Sequence, residues 1–159
     1  MIKPNPIVIL MADDDEDDIL LTEKALKKGK LLNPLYWVQD GEELLDYLLQ
    51  RGAYTDATKA PRPGLILLDL NMPKKDGREA LKEIKSHEEL KDIPIVVFTT
   101  SKAEEDIYRS YKLGVNSFVT KPVTFESLID VMQALGKYWF EVVSLPTDTK
   151  KGTNGDTPD

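Results

Sequence analysis

The sequence contains no cysteine, which removes disulfides, thiolate metal centres and cysteine nucleophiles from consideration. It contains one histidine, His87, too few for a multi-histidine zinc site. Set between a helical segment and a loop among charges, His87 reads as a solvated surface residue. No apolar run approaches the roughly 20 residues that a membrane-spanning helix needs. The N-terminus lacks the basic region and apolar stretch of an export signal, so a cytoplasmic location with no membrane partner is expected. Basic charge is short as well: 21 Lys and Arg stand against 28 Asp and Glu, a net charge of −7. A nucleic-acid surface needs a basic stripe to neutralise phosphates, and no nucleic-acid partner is expected here. Where the acids sit is more informative than their number.

What the chain does have is a strict alternation of strand-like and helix-like segments. Ile7 to Ala12, Leu35 to Val38, Leu65 to Leu68, Ile93 to Phe98 and Ser117 to Thr120 are short, largely apolar runs. Between them lie segments with apolar residues at helical spacing: Ile19 to Leu26, Leu44 to Leu49 ending near Gly52, 77–86, 103–113 and a long one from Phe125 to Phe140. Lys27, Lys28 and Gly29 suit one helix end, and Gly114 another. Residues 53–63, with Pro61 and Pro63, read as a loop. Strand runs without polar alternation imply a parallel sheet covered on both faces. The expected fold class is therefore α/β, a three-layer, doubly wound, five-stranded parallel sheet. Residues 1–144 form one domain in this reading. From 145 to 159 the chain is polar and has nothing to bury, so it reads as a disordered tail.

In such a sheet, functional groups gather at the carboxyl ends of the strands. Asp13 and Asp14 follow the first strand, Asp69 ends the third, Thr99 and Thr100 end the fourth, and Lys121 follows the fifth. If strands one, three, four and five are neighbours, these side chains meet on one rim. Crowded carboxylates repel until one protonates or a cation joins them. Oxygen ligands without His or Cys suit a hard cation such as Mg²⁺. A carboxylate is also a nucleophile toward phosphorus that needs no separate base, while a lysine and a hydroxyl can bind the oxygens of a transferred phosphoryl group. Burying Asp69 after Leu-Ile-Leu-Leu costs stability unless something compensates, which argues against a purely structural role. Asp15 to Asp18 are open to a second reading, since acids also suit a helix N-terminus.

These motifs resemble a known family. Ala12-Asp13-Asp14-Asp15, Leu67-Leu68-Asp69-Leu70-Asn71-Met72-Pro73 with Asp76-Gly77, Thr99-Thr100-Ser101 and Lys121-Pro122 look like the signature of response-regulator receiver domains, in order and spacing, over about residues 6–141. The resemblance implies a flavodoxin-like sheet of order 2-1-3-4-5. It implies Asp69 as phosphoacceptor, Asp14 as a direct Mg²⁺ ligand, Asp13 holding a metal-bound water, and the backbone carbonyl of Asn71 completing the metal's protein ligands. Thr99 and Lys121 would bind the phosphoryl group, and a cis peptide bond would precede Pro122. Thr99 and Phe118 fall at the family's switch positions. The second is often Tyr, so a switch through Phe118 works by ring packing alone. Thr100 stands where a small residue is usual and would restrict access to the pocket. The implied partner is a sensor histidine kinase or phosphotransfer protein. Val38 to Glu43 and the Trp139 to Pro146 extension also resemble the small stand-alone regulators partnered with bacterial phytochromes.

Such a protein is not an enzyme beyond its own aspartyl phosphorylation and dephosphorylation, and signals through contacts. Two other classes fit parts of the pattern: a metal-dependent phosphatase that forms an aspartyl phosphate, and a degenerate receiver that only binds. The phosphatases usually place their nucleophile after the first strand, with a second acid two residues on and a cap; here position 71 is Asn and no cap-sized insertion exists. The last helix carries two apolar stripes, one at Leu128, Met132, Leu135 and Trp139, the other at Val131, Ala134, Tyr138 and Val142. One must cover the sheet, and the second is free to mark a partner surface. With Ile107, Tyr111 and Phe118, residues Val131 and Tyr138 outline an expected homodimer face through helix four, strand five and helix five.

Overall fold

Short aliphatic segments build the sheet in a computed structural model that describes residues 6–142, with the backbone alone for 140–142. They are β1 (Ile9–Ala12), β2 (Leu35–Val38), β3 (Leu65–Leu68), β4 (Ile95–Thr99) and β5 (Ser117–Thr120). All pairings are parallel and the order is β2-β1-β3-β4-β5. The helices are α1 (Glu16–Lys28), α2 (Gly41–Leu48), α3 (Gly77–Ser86), α4 (Glu104–Lys112) and α5 (Phe125–Leu135). The expected tail at 145–159, the expected domain edge at residue 144 and the Val142 side chain lie outside the described residues. No helix among the described residues is long and apolar enough to cross a membrane.

Alternation along each strand divides the core in two. Leu10, Ala12, Ile66, Leu68, Ile95 and Val97 face α2 and α3, where Leu44, Leu45, Tyr47, Ala80, Leu81 and Ile84 cover them. Ile9, Met11, Leu65, Leu67, Val96 and Phe98 face α1 and α5, under Ile19, Ala25, Leu26, Leu128, Met132 and Leu135. The central strands β1, β3 and β4 are buried along their whole length, as parallel strands with helices on both faces must be.

Side chains cap most of the helices where the chain leaves the functional rim. Asp15 accepts from Asp17 N–H, Asp40 from Glu43 N–H, Asp76 from Arg78 and Glu79 N–H, and Thr124 from Ser127 N–H. Each cap satisfies amide groups that the first helical turn leaves free. The start of α4, at Ala103, has no side-chain cap.

Several boundaries differ from the sequence expectation. Helix α2 ends at Leu48, because Gln50 and Gly52 turn left-handed (φ 53° and 63°) and Gly52–Tyr54 forms a 3₁₀ turn. Strand β4 starts at Ile95, since Pro94 has no N–H for a ladder; its carbonyl instead accepts from Ile66 N–H. The long last helix is α-helical through Leu135, and Gly136–Val142 continues it as a wider π-helical turn. Glycine favours regular helix weakly, which suits it to that transition. Trp139 is buried there, edge-on to Tyr138 with ring centroids 4.9 Å apart.

The loop after β3 is pinned by two glycines. A Cβ on Gly41 would lie 2.0 Å from the Lys75 carbonyl oxygen, and one on Gly77 would lie 2.1 Å from that of Asp69. Gly77 N–H donates to Leu70 O at 2.9 Å, so α3 starts in direct contact with the backbone that carries Asp69. Gly77→Ala is expected to destabilise the fold by about 1–3 kcal/mol, the range for forced overpacking. Urea denaturation of both proteins, with midpoints compared at equal slope, checks this.

Candidate functional site

The rim residues come from separate elements and converge because β1 and β3 are adjacent at the centre of the sheet. Asp13 continues β1, its N–H bonded to Val38 O at 3.0 Å, and Asp69 continues β3, its N–H bonded to Ala12 O at 3.0 Å. Both are almost fully buried, at 1% and 5% exposure, whereas Asp14 is exposed. Each of Asp13, Asp14 and Asp69 offers a carboxylate oxygen, and these oxygens lie within 4.8 Å of one another.

Around Asp69 the contacts are short and directed. Thr99 Oγ1, fully buried at the end of β4, donates to Asp69 Oδ1 at 2.7 Å. Asn71 N–H donates to the same oxygen at 3.2 Å. Lys121 Nζ donates to Asp69 Oδ2 at 3.2 Å and to Asp18 Oδ2 at 2.7 Å. Lys121 N–H donates to Thr99 O at 2.8 Å, which fixes the base of the lysine against β4.

Asp13 is the electrostatically strained member. Its Oδ1 accepts from Asp15 N–H at 2.9 Å. Its Oδ2 lies 2.7 Å from Lys121 Nζ, close enough for an ion pair but out of line for a hydrogen bond, so this buried oxygen has no hydrogen-bond donor. Burial pushes the Asp13 carboxyl up to about 6; Lys121 and the Asp15 amide pull against that, and the charge on Asp69 adds to it. For Lys121 burial works downward, but the close contacts with Asp13 and Asp18 and the charges of Asp13 and Asp69 win and hold the ammonium above its usual range.

An orphaned buried carboxylate oxygen, two neighbouring carboxylates and an all-oxygen donor set fit a hard divalent cation. The chemistry open to the arrangement is attack by an Asp69 oxygen on an electrophilic phosphorus, with a hydroxyl and an ammonium already placed beside it.

The structure brings together Asp13, Asp14, Asp69, Thr99 and Lys121 and places the Asn71 backbone beside Asp69. Thr100 is exposed. Pro122 corrects an expectation: the Lys121–Pro122 bond is trans, as are all peptide bonds among the described residues. Trans is the lower-energy default before proline, and with it Lys121 already reaches all three of its acidic neighbours. Phe118 is half-buried against the core on the α2 and α3 side. Its N–H donates to the Tyr111 hydroxyl at 3.1 Å, so Tyr111, half exposed, also ties α4 to the sheet edge. Ile107 is half-buried, on the side of α4 that carries the buried Ser110.

Two features were not singled out by sequence reasoning. Asp18, open there between a capping and a functional role, contacts Lys121, which is 103 positions away. Arg78 makes a bidentate pair with Asp106, both bonds 2.8 Å, and Asp106 also accepts from Ser101 Oγ at 2.7 Å. The Arg78 guanidinium, first, holds the Asp106 carboxyl down to about 2. It also reaches Leu70 O at 3.3 Å and Asn71 Oδ1 at 3.4 Å. Neither pair has a local sequence signal, since both form only when loops from different strands meet.

Residues 9–133 match the family model described as the response regulator receiver domain. Response regulator Rcp1 of Synechocystis sp. is 44% identical over 141 residues, 89% of this chain and 94% of that protein. The crystal structure of the phosphorylated cyanobacterial phytochrome response regulator RcpA superposes with a TM-score of 0.82 at 42% identity, covering 89% of this chain and 99% of that one. The Mn²⁺-bound form of Rcp1 gives a TM-score of 0.79 at 44% identity, with 89% and 99% covered. With these matches and this constellation on a sheet of order β2-β1-β3-β4-β5, the chain belongs to the response regulator receiver family.

Proposed function

We propose that this protein is a phosphorylation switch whose acceptor is Asp69. The observation that carries the reading is the placement of one carboxylate, at the end of β3, against both the Thr99 hydroxyl at 2.7 Å and the Lys121 ammonium at 3.2 Å. In the proposed reaction an Asp69 oxygen attacks phosphorus as the bond from phosphorus to a donor's imidazole nitrogen breaks. The imidazole leaves with the electron pair and takes a proton from solvent. Thr99 and Lys121 then bind phosphoryl oxygens instead of carboxylate oxygens. In the reset step water attacks phosphorus and Asp69 leaves as a carboxylate; no other substrate is turned over. Asp13, Asp14, Asp69 and the Asn71 carbonyl would hold Mg²⁺, which when bound offsets the charge on the transferred group.

The donor would be a sensor histidine kinase or a phosphotransfer protein. Similarity over nearly the whole length of Rcp1 and RcpA, the latter a phytochrome response regulator, supports a phytochrome-type kinase. Phosphorylation would bias Thr99 and, through ring packing, Phe118, shifting the population of surface states by the difference in their affinity for the added charge. The readout surface would be α4, β5 and α5, where a second copy would pack. The buried stripe of α5 and the turn that continues it is Leu128, Met132, Leu135 and Trp139, which leaves Tyr138 56% exposed, while Val131 is half-buried against that same core. Before the start of α5, Val123 is 98% exposed.

Incubation with acetyl phosphate and Mg²⁺ is expected to add one phosphoryl group to the wild type and none to Asp69→Asn, read as intact mass. Addition to the variant would reject the acceptor assignment. For assembly, light scattering at micromolar concentration is expected to give a dimer mass at least when a phosphoryl mimic is bound; a monomer in both states would reject the face. The metal carries a pH signature. Asp13 is raised above its unfolded value, so the fold favours its protonated form; that contribution is present at low pH and is lost as pH rises through about 6. Holding Asp13 ionised at neutral pH therefore costs the metal-free fold, by order of magnitude, roughly 2–3 kcal/mol. A cation removes that cost and competes with the proton. Mg²⁺ is expected to raise the melting temperature at about pH 7.5 and to lose most of that effect at about pH 5. A Mg²⁺ shift equal at both pH values would contradict it.

A further inference from the structure

Lys121 is held by three carboxylates, and one of them has no part in the chemistry described so far. Asp18 lies in the first turn of α1, on a different layer from the strand ends that carry Asp13 and Asp69. Of the three contacts to Nζ, the shortest aligned hydrogen bond goes to Asp18 Oδ2, at 2.7 Å. The bond to Asp69 Oδ2 is longer, at 3.2 Å, and the 2.7 Å approach to Asp13 Oδ2 is out of line. The Asp18 side chain is 31% exposed while that of Lys121 is 10% exposed. The ammonium is thus suspended between two buried acids and one at the pocket's outer edge.

The backbone under Asp18 is fixed. Its carbonyl accepts from Thr22 Oγ1 at 2.8 Å, and the next residue, Ile19, is in the core. Lys121 is fixed at its base by its N–H bond to Thr99 O. The remaining freedom is that of the lysine's flexible stem, whose head is a compact point charge with three donors. Where that head rests is decided by competition among the carboxylates. With Asp18 neutral, attraction to Asp13 and Asp69 in the less polar interior would draw the ammonium inward. There it would occupy the side of the oxygens that a divalent cation must share, and would cover the Asp69 oxygen that attacks phosphorus.

We propose that Asp18 is a positioning residue for Lys121, drawing its ammonium toward the outer edge of the pocket so that Asp13 and Asp69 are covered less and can take up a cation and an incoming phosphoryl group. The proposal rests on the reading of Asp69 as acceptor. It assigns to α1 a direct part in the rate of phosphoryl acceptance, beyond the capping role that an acidic first turn already explains.

A double-mutant cycle tests it, using wild type, Asp18→Asn, Lys121→Ala and the double variant of the full chain. Two readouts are taken from each: the initial rate of phosphoryl addition from acetyl phosphate, and the Mg²⁺ dissociation constant by calorimetry without any phosphoryl donor. With Lys121 present, Asp18→Asn is expected to slow addition and weaken Mg²⁺ by about three- to tenfold; in the Lys121→Ala background it should change either by less than about twofold. Equal effects in both backgrounds would overturn the proposal, since Asp18 would then act on its own through charge or stability. No effect in the wild-type background would overturn it too. If the wild type binds Mg²⁺ but takes no phosphoryl group, the reading of Asp69 fails, and the Mg²⁺ cycle alone decides whether Asp18 positions Lys121.

Discussion

The balance between one ammonium and several carboxylates is the constraint on which the rest of the site depends. Asp13 and Asp69 are buried at the ends of adjacent parallel strands, Asp14 stands beside them, and Lys121 is shared among Asp13, Asp69 and Asp18. Burying charge is costly unless it is paired and hydrogen-bonded. Asp69 meets that condition through Thr99, Asn71 and Lys121, whereas Asp13 meets it in part, with one oxygen lacking a hydrogen-bond donor, and burial raises its carboxyl pKa. The pocket is therefore tuned to gain from an added cation. The sheet makes this possible: a parallel order in which β1 and β3 are neighbours delivers both acids to one rim, with helices on both faces paying for the burial through apolar contact.

The sequence made the scaffold legible because its signals are local. Leu65 to Leu68 is a strand in any parallel sheet, and the acids after β1 and β3 stand out because they interrupt apolar runs. Spacing fixed which α5 stripe would be buried only as one of two; the contact of Leu128, Met132, Leu135 and Trp139 with the α1 side of the sheet decided it. Where the reading fell short, the cause was not local. The trans bond at Pro122 is a choice between isomers of nearly equal energy that no flanking residue dictates. Ile107, placed in the expected dimer face, is half-buried, because burial depends on how α4 sits on its neighbours. The Lys121–Asp18 and Arg78–Asp106 pairs link positions 103 and 28 apart. A surface acid and a surface base look alike before the fold brings them together.

Stability is not spread evenly around the rim. Helices α1, α2, α3 and α5 each bury several apolar side chains, whereas the buried residue of α4 is Ser110 and its N-terminus has no side-chain cap. An open groove of about 520 Å³ separates α4 from α3, with Leu81 and Leu113 among its lining residues. What holds the start of α4 is polar: Asp106 with Arg78 and Ser101. Elements anchored by few apolar contacts open at lower free energy than the core does, so among the five helices α4 is the one most readily displaced.

That placement matters because the polar anchor leads back to Asp69. Thr99 Oγ1 donates to Asp69 and also accepts from Ser101 N–H at 3.4 Å. Ser101 Oγ reaches Asp106, Asp106 pairs with Arg78, and Arg78 returns to Leu70 O and Asn71 on the loop that follows Asp69. The contacts form a closed ring, and Thr99 is the one member that touches the Asp69 carboxylate with its hydroxyl. Under the proposed function, a phosphoryl group on Asp69 would offer that hydroxyl a charged acceptor in a new place. If Thr99 moves to meet it, its bond to Ser101 changes, and the strain falls on the weakest-packed element in the ring. The same helix forms one wall of the proposed dimer face, and Tyr111 ties it to β5 through Phe118 N–H. A local change in charge can thus bias a surface some distance away without a continuous deformation of the core, because β1, β3 and β4 are packed too tightly to yield and α4 is not.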